Sequence, residues 1–249
     1  MRTLIVAFVA GVGVGGLVNQ LATDLLGRRT LTRPHCPYCG RERPWWQWLG
    51  ISAYLAGRPY CPTCGASIKM RRPLTEIGLG LTFGYLWLKM GLSVELLFHA
   101  LYAVAFALTL ITDLEHRLIL NSVTYPAIFI GLVGSLFVPD LTWWSALMGG
   151  GIALGFFLLA AVIGRAVFGS GALGGGDVKL AAFVGIVTGF PMVIEAIVLT
   201  ILIGALISLI LLVTRIRGLK DHIPYGPFLV AGAVVTLLWG YRIATWILA

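Results

Sequence analysis

Long apolar runs recur along the whole chain and limit the possible folds more than any other feature. Runs of 18 or more residues repeat through the 249 positions, 59% of which are apolar and only 11% charged. A membrane-spanning helix needs about 20 such residues, since it satisfies its own backbone groups where water is absent. The sequence therefore predicts an all-α, polytopic membrane bundle. The ten-residue alternation typical of an outer-membrane barrel is missing.

Eight segments have the length and composition of a span. The first lacks the cleavage site of a signal peptide, so we expect it to remain as a helix. The sixth is short, because Gly189 and Pro191 break the chain behind it, and it should be tilted or partly buried in protein. The predicted spans are residues 3–26, 73–90, 94–112, 118–137, 142–165, 177–190, 192–213 and 223–247.

The basic residues predict an orientation, since cytoplasmic segments near span ends are enriched in Lys and Arg. Nine of the 18 basic residues fall between positions 28 and 72. If that segment is cytoplasmic, threading eight spans puts 15 basic residues inside and leaves only Arg2, Lys89 and Arg242 outside. The net charge of +8 then follows from orientation and anionic lipid, and no nucleic-acid partner is needed.

The polar segment 27–72 holds all four cysteines, in two matched motifs, "CPYCG" and "CPTCG". Each C-x-x-C turn presents two sulfurs, and two such turns supply four tetrahedral ligands for zinc. Four sulfur ligands leave no open position for water, which predicts a structural role. A redox dithiol or two disulfides are the competing interpretations. A reducing cytoplasmic face disfavours stable disulfides, and a matched pair of cysteine turns disfavours redox work. The predicted ligands are Cys36, Cys39, Cys61 and Cys64.

The stretch "WWQWLGISAYLAG", between the two cysteine motifs, contains four aromatic residues: Trp45, Trp46, Trp48 and Tyr54. They suit either a small core for the loop or a surface patch resting on lipid headgroups. Glycines in "GVGVGG", residues 11–16, resemble a phosphate loop only faintly. Because they lie inside the first apolar span, Gly11 and Gly15 are better explained as sites of close helix packing.

Two carboxylates stand at span boundaries, where an ionisable group is a functional hypothesis by default. Asp113 ends the third span in "TDLEHRLILN", and Asp177 begins the sixth in "GGGDVKL". The threading puts both at cytoplasmic helix ends at similar depth, where they could form an acid/base pair. Taken singly, Asp177 could be a helix cap, and Asp113 could pair with His116 or Arg117.

The glycines beside Asp177 favour the functional interpretation. Gly174 and Gly176 leave the carboxylate without neighbouring side chains. An extended peptide backbone could then approach it closely, so both glycines are predicted substrate-binding positions.

Together these motifs resemble the bacterial type IV prepilin peptidases, aspartic membrane proteases marked by a GxGD motif. The resemblance covers the cysteine loop, "RRPLTEIGLGL", "TDLEHRLILN", "GGGDVKL" and "IPYGPFLVAGA". It implies that Asp113 and Asp177 are the catalytic aspartates and that the cysteines form the family's zinc loop. One departure is visible: the family usually has Ile-Pro-Asp where this chain has Ile119, Leu120 and Asn121.

The resemblance implies cleavage of prepilin-like or pseudopilin precursors at the cytoplasmic face of the bacterial inner membrane. The cut would follow the glycine that ends a short basic leader. Family members often also methylate the new amino terminus with S-adenosylmethionine, and Glu76 with the zinc loop matches the region associated with that activity. The chain would then divide into a first helix (1–26), a cytoplasmic zinc loop (27–72) and a protease core (73–249).

Two other classes of protein share some of these features. A membrane scaffold with a zinc-bound knob would use the cysteines but would not need two aspartates at one depth. A proton-coupled transporter would place its acids nearer the midplane, between symmetric halves with broken helices, and that symmetry is not visible here.

The predicted orientation can be tested with a membrane-impermeant thiol reagent applied to intact cells. The reagent should miss the cysteine of Ser67→Cys protein and label that of Ser93→Cys protein, because only the second would lie outside. The parent chain gives the background from the native cysteines. The reverse pattern would invert the topology and put the aspartates on the outer face.

Overall fold

The computed structural model describes residues 2–27, 32–168, 173–215 and 224–248. This part of the chain is α-helical, apart from one 3-10 turn, loops and two isolated bridges between extended residues. Its helices are α1 (Arg2–Gly27), α2 (Gly50–Leu55), α3 (Arg71–Met90), α4 (Val94–His116), α5 (Asn121–Gly134), α6 (Trp143–Phe168), α7 (Gly175–Thr188), α8 (Met192–Val213) and α9 (Gly226–Leu248).

Each predicted span coincides with a helix, but the helices differ in length. Five of them, α1, α4, α6, α8 and α9, are long and apolar enough to cross a membrane. Helix α3 has 20 residues but carries four charged ones, and α5 and α7 have 14 residues each. At about 1.5 Å per residue, 14 residues rise about 21 Å, less than the roughly 30 Å hydrocarbon core.

Two helix ends near the aspartates differ from the predicted bounds. Helix α4 continues past residue 112 to His116, so Asp113 lies within its last turn instead of beyond its end. Helix α7 begins at Gly175, which makes Asp177 its third residue instead of its first. The predicted start of the last span, at residue 223, lies outside the described residues. So do four of the basic residues used to orient the bundle: Arg28, Arg29, Arg217 and Lys220.

The chain divides into two compact units, Met1–Ile111 and Thr112–Ala249, with the boundary inside α4. In the first unit, α3 packs against α1 and α2. A methyl group on Gly11 would lie 2.5 Å from the Leu79 carbonyl oxygen, and one on Gly15 would lie 2.6 Å from the Glu76 Cα. The interpretation of these glycines as helix-packing sites is therefore confirmed.

The aromatic residues of the cysteine loop lie on the surface of the first unit. The residues Trp45, Trp46 and Trp48 are 76%, 37% and 51% exposed. Tyr54 differs from these tryptophans because it holds the loop together: its hydroxyl donates a hydrogen bond to the Ile68 carbonyl oxygen at 2.6 Å. The three tryptophans form a surface patch, which favours the second of the two alternatives.

Helix α7 lies at the centre of the second unit, packed against α5, α6, α8 and α9. Every residue from Leu180 to Thr188 is buried. Gly149 of α6 and Gly185 of α7 face each other so closely that a methyl group on either would collide with the carbonyl of the other. The expectation that this short helix is buried in protein is confirmed.

The turn after α7 is fixed by two features. Gly189 has a φ of +67°, a left-handed conformation that favours glycine. Ser145 then ties the turn to α6, since its hydroxyl donates to the Phe190 carbonyl and its own carbonyl accepts the Phe190 N–H.

We predict that Gly185→Ala lowers the free energy of unfolding by about 1–3 kcal/mol, because the new methyl group overpacks the crossing of α6 and α7. Thermal unfolding in detergent measures the change. Gly151→Ala is the matched control: a methyl group there meets nothing within 4 Å, and alanine is the better helix former. Equal unfolding temperatures for the two variants would contradict the close packing.

Candidate active site and metal centre

Asp113 is a buried carboxylate in the last turn of α4, only 4% exposed. Its Oδ2 accepts a hydrogen bond from the N–H of Gly226, the first residue of α9, at 3.0 Å. Of the two predicted structural partners, His116 lies 3.9 Å from Glu115, whereas the charge of Arg117 acts on Asp113. Arg117 follows with a φ of +54° and donates its N–H to the Asp113 carbonyl oxygen, which ends the helix.

Asp177 lies in the first turn of α7, where its carboxylate accepts a hydrogen bond from the Gly174 N–H at 3.1 Å. The capping contact expected of a carboxylate at a helix start is therefore present. This hydrogen bond is accepted by the Oδ2 atom of Asp177. In the described part of the chain no second hydrogen bond reaches this carboxylate, so one oxygen stays available.

The structure brings the two aspartates, 64 positions apart in sequence, into one electrostatic environment. The charge of Asp113 acts on Asp177, and that of Asp177 acts on the phenol of Tyr225. Tyr225 directly precedes Gly226, the donor to Asp113. The start of α9 thus contacts Asp113 directly, and two carboxylates that repel each other are harder to ionise together than singly.

The glycines before Asp177 have different surroundings. A methyl group on Gly174 would lie 3.2 Å from the Asp177 Oδ2. One on Gly176 would lie 2.9 Å from the Ile119 Cβ, so this glycine is needed for packing whether or not it also admits substrate. Gly175 between them has open space. The substrate-binding role of Gly174 and Gly176 stays a prediction.

The sequence departure at Asn121 has a structural consequence. Lys179, two residues after Asp177, donates a hydrogen bond to the Asn121 Oδ1 at 2.9 Å and lies 5.2 Å from the centre of the Tyr125 ring. An aspartate at this position would neutralise the lysine. The amide holds Lys179 in place but leaves its positive charge.

The four predicted metal ligands come together in the first unit. Their sulfur atoms all lie within 4.8 Å of one another, and the Cys36–Cys64 and Cys39–Cys61 pairs are each 3.7 Å apart. Tetrahedral zinc binds sulfur at about 2.3 Å, which puts ligand sulfurs about 3.8 Å apart. The cluster therefore fits a structural zinc ion with four thiolate ligands.

The two cysteine turns are copies of one structure. In each, the first cysteine carbonyl accepts the N–H of the glycine that ends the motif, Gly40 or Gly65. Both glycines have left-handed φ angles, +73° and +70°. The sequence shows the same duplication as a repeat that is longer than the two cysteine motifs: "RPHCPYCG" from residue 33 recurs as "RPYCPTCG" from residue 58.

Backbone amides prepare these thiols to bind a cation. The N–H groups of Cys64 and Thr63 lower the pKa of the Cys61 thiol to about 6. Burial opposes ionisation of Cys36, but amides of Cys39 and Tyr38 outweigh it and keep the pKa below its ordinary value. The pKa of the Cys64 thiol moves the other way, to about 11, because burial and the neighbouring cysteine sulfurs outweigh the Ala66 amide. Thiolates are the form that binds zinc, so Cys36 and Cys61 are the two ligands that the backbone favours in that form.

Glu76 anchors the cysteine loop to α3. It is fully buried, and its two oxygens accept the N–H groups of Gly50 and Ile51, at 2.7 and 2.8 Å, at the start of α2. Both oxygens are thus engaged in holding the loop. The methylation-associated position carries a structural contact and leaves no oxygen exposed for a ligand.

The fold and the sites define a class before any comparison is made: a multi-pass helical membrane protein with an interacting pair of aspartates and a four-cysteine loop. Residues 100–209 match the Type IV leader peptidase family, and residues 9–90 match the Bacterial Peptidase A24 N-terminal domain. The chain belongs to the type IV leader peptidase family. No solved structure matches it at a significant level.

Several curated relatives carry the name prepilin leader peptidase/N-methyltransferase. The one from Stutzerimonas stutzeri is 30% identical over 219 residues, covering 84% of this chain and 73% of that protein. The one from Bacillus subtilis (strain 168) is 28% identical over 208 residues, covering 84% and 82%. The one from Pseudomonas aeruginosa is 30% identical over 210 residues, covering 84% and 72%.

Sequence reasoning found the two aspartates but missed their neighbours at the start of α9. Tyr225 and Gly226 lie inside "IPYGPFLVAGA", a stretch used only for its family resemblance. The one available signal was a Gly-Pro pair at a predicted helix start. Nothing in the pattern indicates that this glycine faces a carboxylate 113 positions away.

We predict about one zinc per purified chain, and its loss in a Cys36→Ser, Cys61→Ser double variant. Two hydroxyls would replace two thiolates of a closed four-sulfur site, which leaves too few ligands for stable binding. Elemental analysis measures the metal. A Ser67→Ala variant, changed in the same loop outside the cluster, should keep it. An unchanged zinc content in the double variant would contradict the assignment of these cysteines as zinc ligands.

Proposed function

We propose that this protein is an aspartic endopeptidase of the bacterial inner membrane that removes the leader peptide of prepilin-like precursors. The observation that carries the proposal is the placement of Asp113 and Asp177 at helix ends of one unit, each with one carboxylate oxygen that accepts no hydrogen bond within the described residues. Membership of the leader peptidase family supplies the substrate class. Precursors of pilins or pseudopilins are the partners, together with the bilayer.

Catalysis uses the two carboxylates in opposite protonation states. The ionised aspartate takes a proton from water, and the water oxygen attacks the scissile carbonyl carbon. The protonated aspartate hydrogen-bonds the carbonyl oxygen and stabilises the charge that develops on it. Transfer of a proton to the leaving nitrogen then breaks the C–N bond. No cofactor takes part in these steps.

The cysteine loop gives the protein a zinc-binding knob next to the membrane. Zinc held by Cys36, Cys39, Cys61 and Cys64 would fix the two cysteine turns relative to each other, which is a structural contribution. We place this loop and the aspartates on the cytoplasmic face, with eight helices threading the membrane. The division into a first helix (1–26), zinc loop (27–72) and protease core (73–249) is part of this proposal.

The short helices are compatible with eight membrane segments. Helices α5 and α7 are too short to span alone, but a helix packed inside protein need not match the bilayer thickness. Burial of α7 by its neighbours provides that environment. A proton-coupled transporter would also use buried carboxylates, but it offers no reason for the four-cysteine loop.

A second activity, methylation of the new amino terminus, is favoured by the names of the relatives and by the match over residues 9–90. S-adenosylmethionine would be the methyl donor and would act as a substrate. Because both Glu76 oxygens bind backbone amides, Glu76 would support this activity by holding the loop and would not contact the donor.

We predict that Asp113→Asn and Asp177→Asn each reduce peptide cleavage at least 1,000-fold, an order of magnitude typical of losing a member of a catalytic unit. Asparagine keeps the size of the side chain but cannot exchange the proton. The double variant should be little worse than either single one. Mass spectrometry of a prepilin-like peptide measures cleavage, and with S-adenosylmethionine present it also detects the added methyl group.

The control for these variants is Asp140→Asn, a carboxylate outside the pair, which should cleave normally. Zinc content and unfolding temperature of each protein show that it is folded. Near-normal turnover by either well-folded variant would mean that its carboxylate is only a helix cap or a packing group, and the proposed function would fail. Gly176→Val should also be inactive, with Gly175→Ala close to wild type.

A further inference from the structure

Lys179 lies next to the aspartate pair and is held in place by two neutral groups. Its ammonium donates a hydrogen bond to the Asn121 Oδ1 at 2.9 Å and lies 5.2 Å from the centre of the Tyr125 ring. The ion pairs found in the described part of the chain do not include this ammonium. Lys179 is therefore a positioned cation without a carboxylate partner among the described residues.

The acid that is closest to Lys179 along the helix does not compensate its charge. Asp177 lies two residues earlier in α7, and side chains two positions apart on a helix do not face each other. The Asp177 carboxylate accepts the Gly174 N–H, whereas the lysine is directed towards the start of α5. An uncompensated charge at a membrane boundary is costly, which indicates that its partner comes from a ligand.

The surroundings of Lys179 allow a ligand to reach it. Asn121 and Tyr125 are exposed, the lysine is half-buried, and the neighbouring helix start is exposed at Gly174 and Gly175. The amide and the aromatic ring hold a long, flexible side chain in one position. Less conformational entropy is then lost when an anion binds, so the site is pre-organised for one.

The lysine is close enough to Asp177 to contact a side chain of the substrate. Residues two positions apart on a helix have Cα atoms about 5 Å apart. An extended peptide advances about 3.3 Å per residue. A substrate whose scissile carbonyl lies at Asp177 therefore brings residues within about three positions of the cut into reach of the Lys179 side chain.

We propose that Lys179 is a specificity-determining residue that binds a carboxylate of the precursor, on an acidic side chain within about three residues of the scissile bond. This inference rests on the proposed function and deepens it, because it adds a chemical requirement to the substrate class. Asn121 and Tyr125 position the ammonium without neutralising it. An aspartate at position 121 would pair with the lysine itself and compete with the substrate.

The test uses prepilin-like peptides that carry either glutamate or glutamine at each of the three positions on both sides of the cut. The readout is the ratio of kcat/KM for the glutamate and the glutamine peptide, measured with the full-length protein in detergent. At one position the parent protein should prefer glutamate about tenfold, the size of one hydrogen bond to a charged group. Added salt should reduce this preference, because it screens exposed charges.

Two variants should remove the preference. Lys179→Met removes the ammonium and keeps the side chain long. Asn121→Asp keeps the lysine but neutralises it, and it keeps the test valid if the methionine protein does not fold. In both proteins the ratio should fall to about one, since the coupling between enzyme and substrate is lost. Arg165→Met is the matched control, because it removes an exposed basic residue in the last turn of α6, and it should keep the parent ratio.

Three results would overturn the inference. Ratios near one at every position in the parent protein would mean that no substrate carboxylate is bound. A preference that persists in both variants would leave Lys179 as a tie between α5 and α7 or a lipid contact. An equal loss in Arg165→Met protein would assign the effect to overall charge. Turnover by Asp113→Asn protein would instead overturn the proposed function itself, so the two failures are distinguishable.

Discussion

The burial of α7 is the constraint on which the second unit depends. This helix is too short to cross a bilayer, so its backbone and its Asp177 can lie at membrane depth only if neighbouring helices surround it. The facing glycines Gly149 and Gly185 provide the closest of these contacts. The start of this helix is exposed at Gly174 and Gly175, whereas every residue from Leu180 to Thr188 is buried.

The sequence predicted most of this architecture, because membrane helices obey simple rules of length and apolarity. All eight predicted spans coincide with helices, and the short sixth span was recognised from Gly189 and Pro191. Bounds near the aspartates were less accurate, since hydropathy falls before a helix ends: α4 continues through the polar residues up to His116. The aromatic residues of the loop were ambiguous, because tryptophan suits both a core and a surface.

For the sites, the sequence predicted residues that lie in short motifs but did not predict their partners from distant segments. The four cysteines and the two aspartates carry their chemistry in short motifs, so their positions were visible without a structure. The partners of these residues were not. Glu76 binding the start of α2, and Gly226 binding Asp113, are contacts between distant segments made by or to backbone amides. A backbone donor has no residue type of its own, and a sequence pattern therefore cannot reveal it.

A hydrogen bond between two side chains explains how this chain can tolerate its departure from the family at Asn121. An aspartate there would form an ion pair with Lys179, whereas the asparagine forms a hydrogen bond of 2.9 Å in the same place. Geometry at the start of α5 is therefore kept and only charge changes. Within the described residues the hydrogen bonds to the two aspartates come from the backbone N–H groups of Gly174 and Gly226, and a side-chain substitution at position 121 removes neither donor.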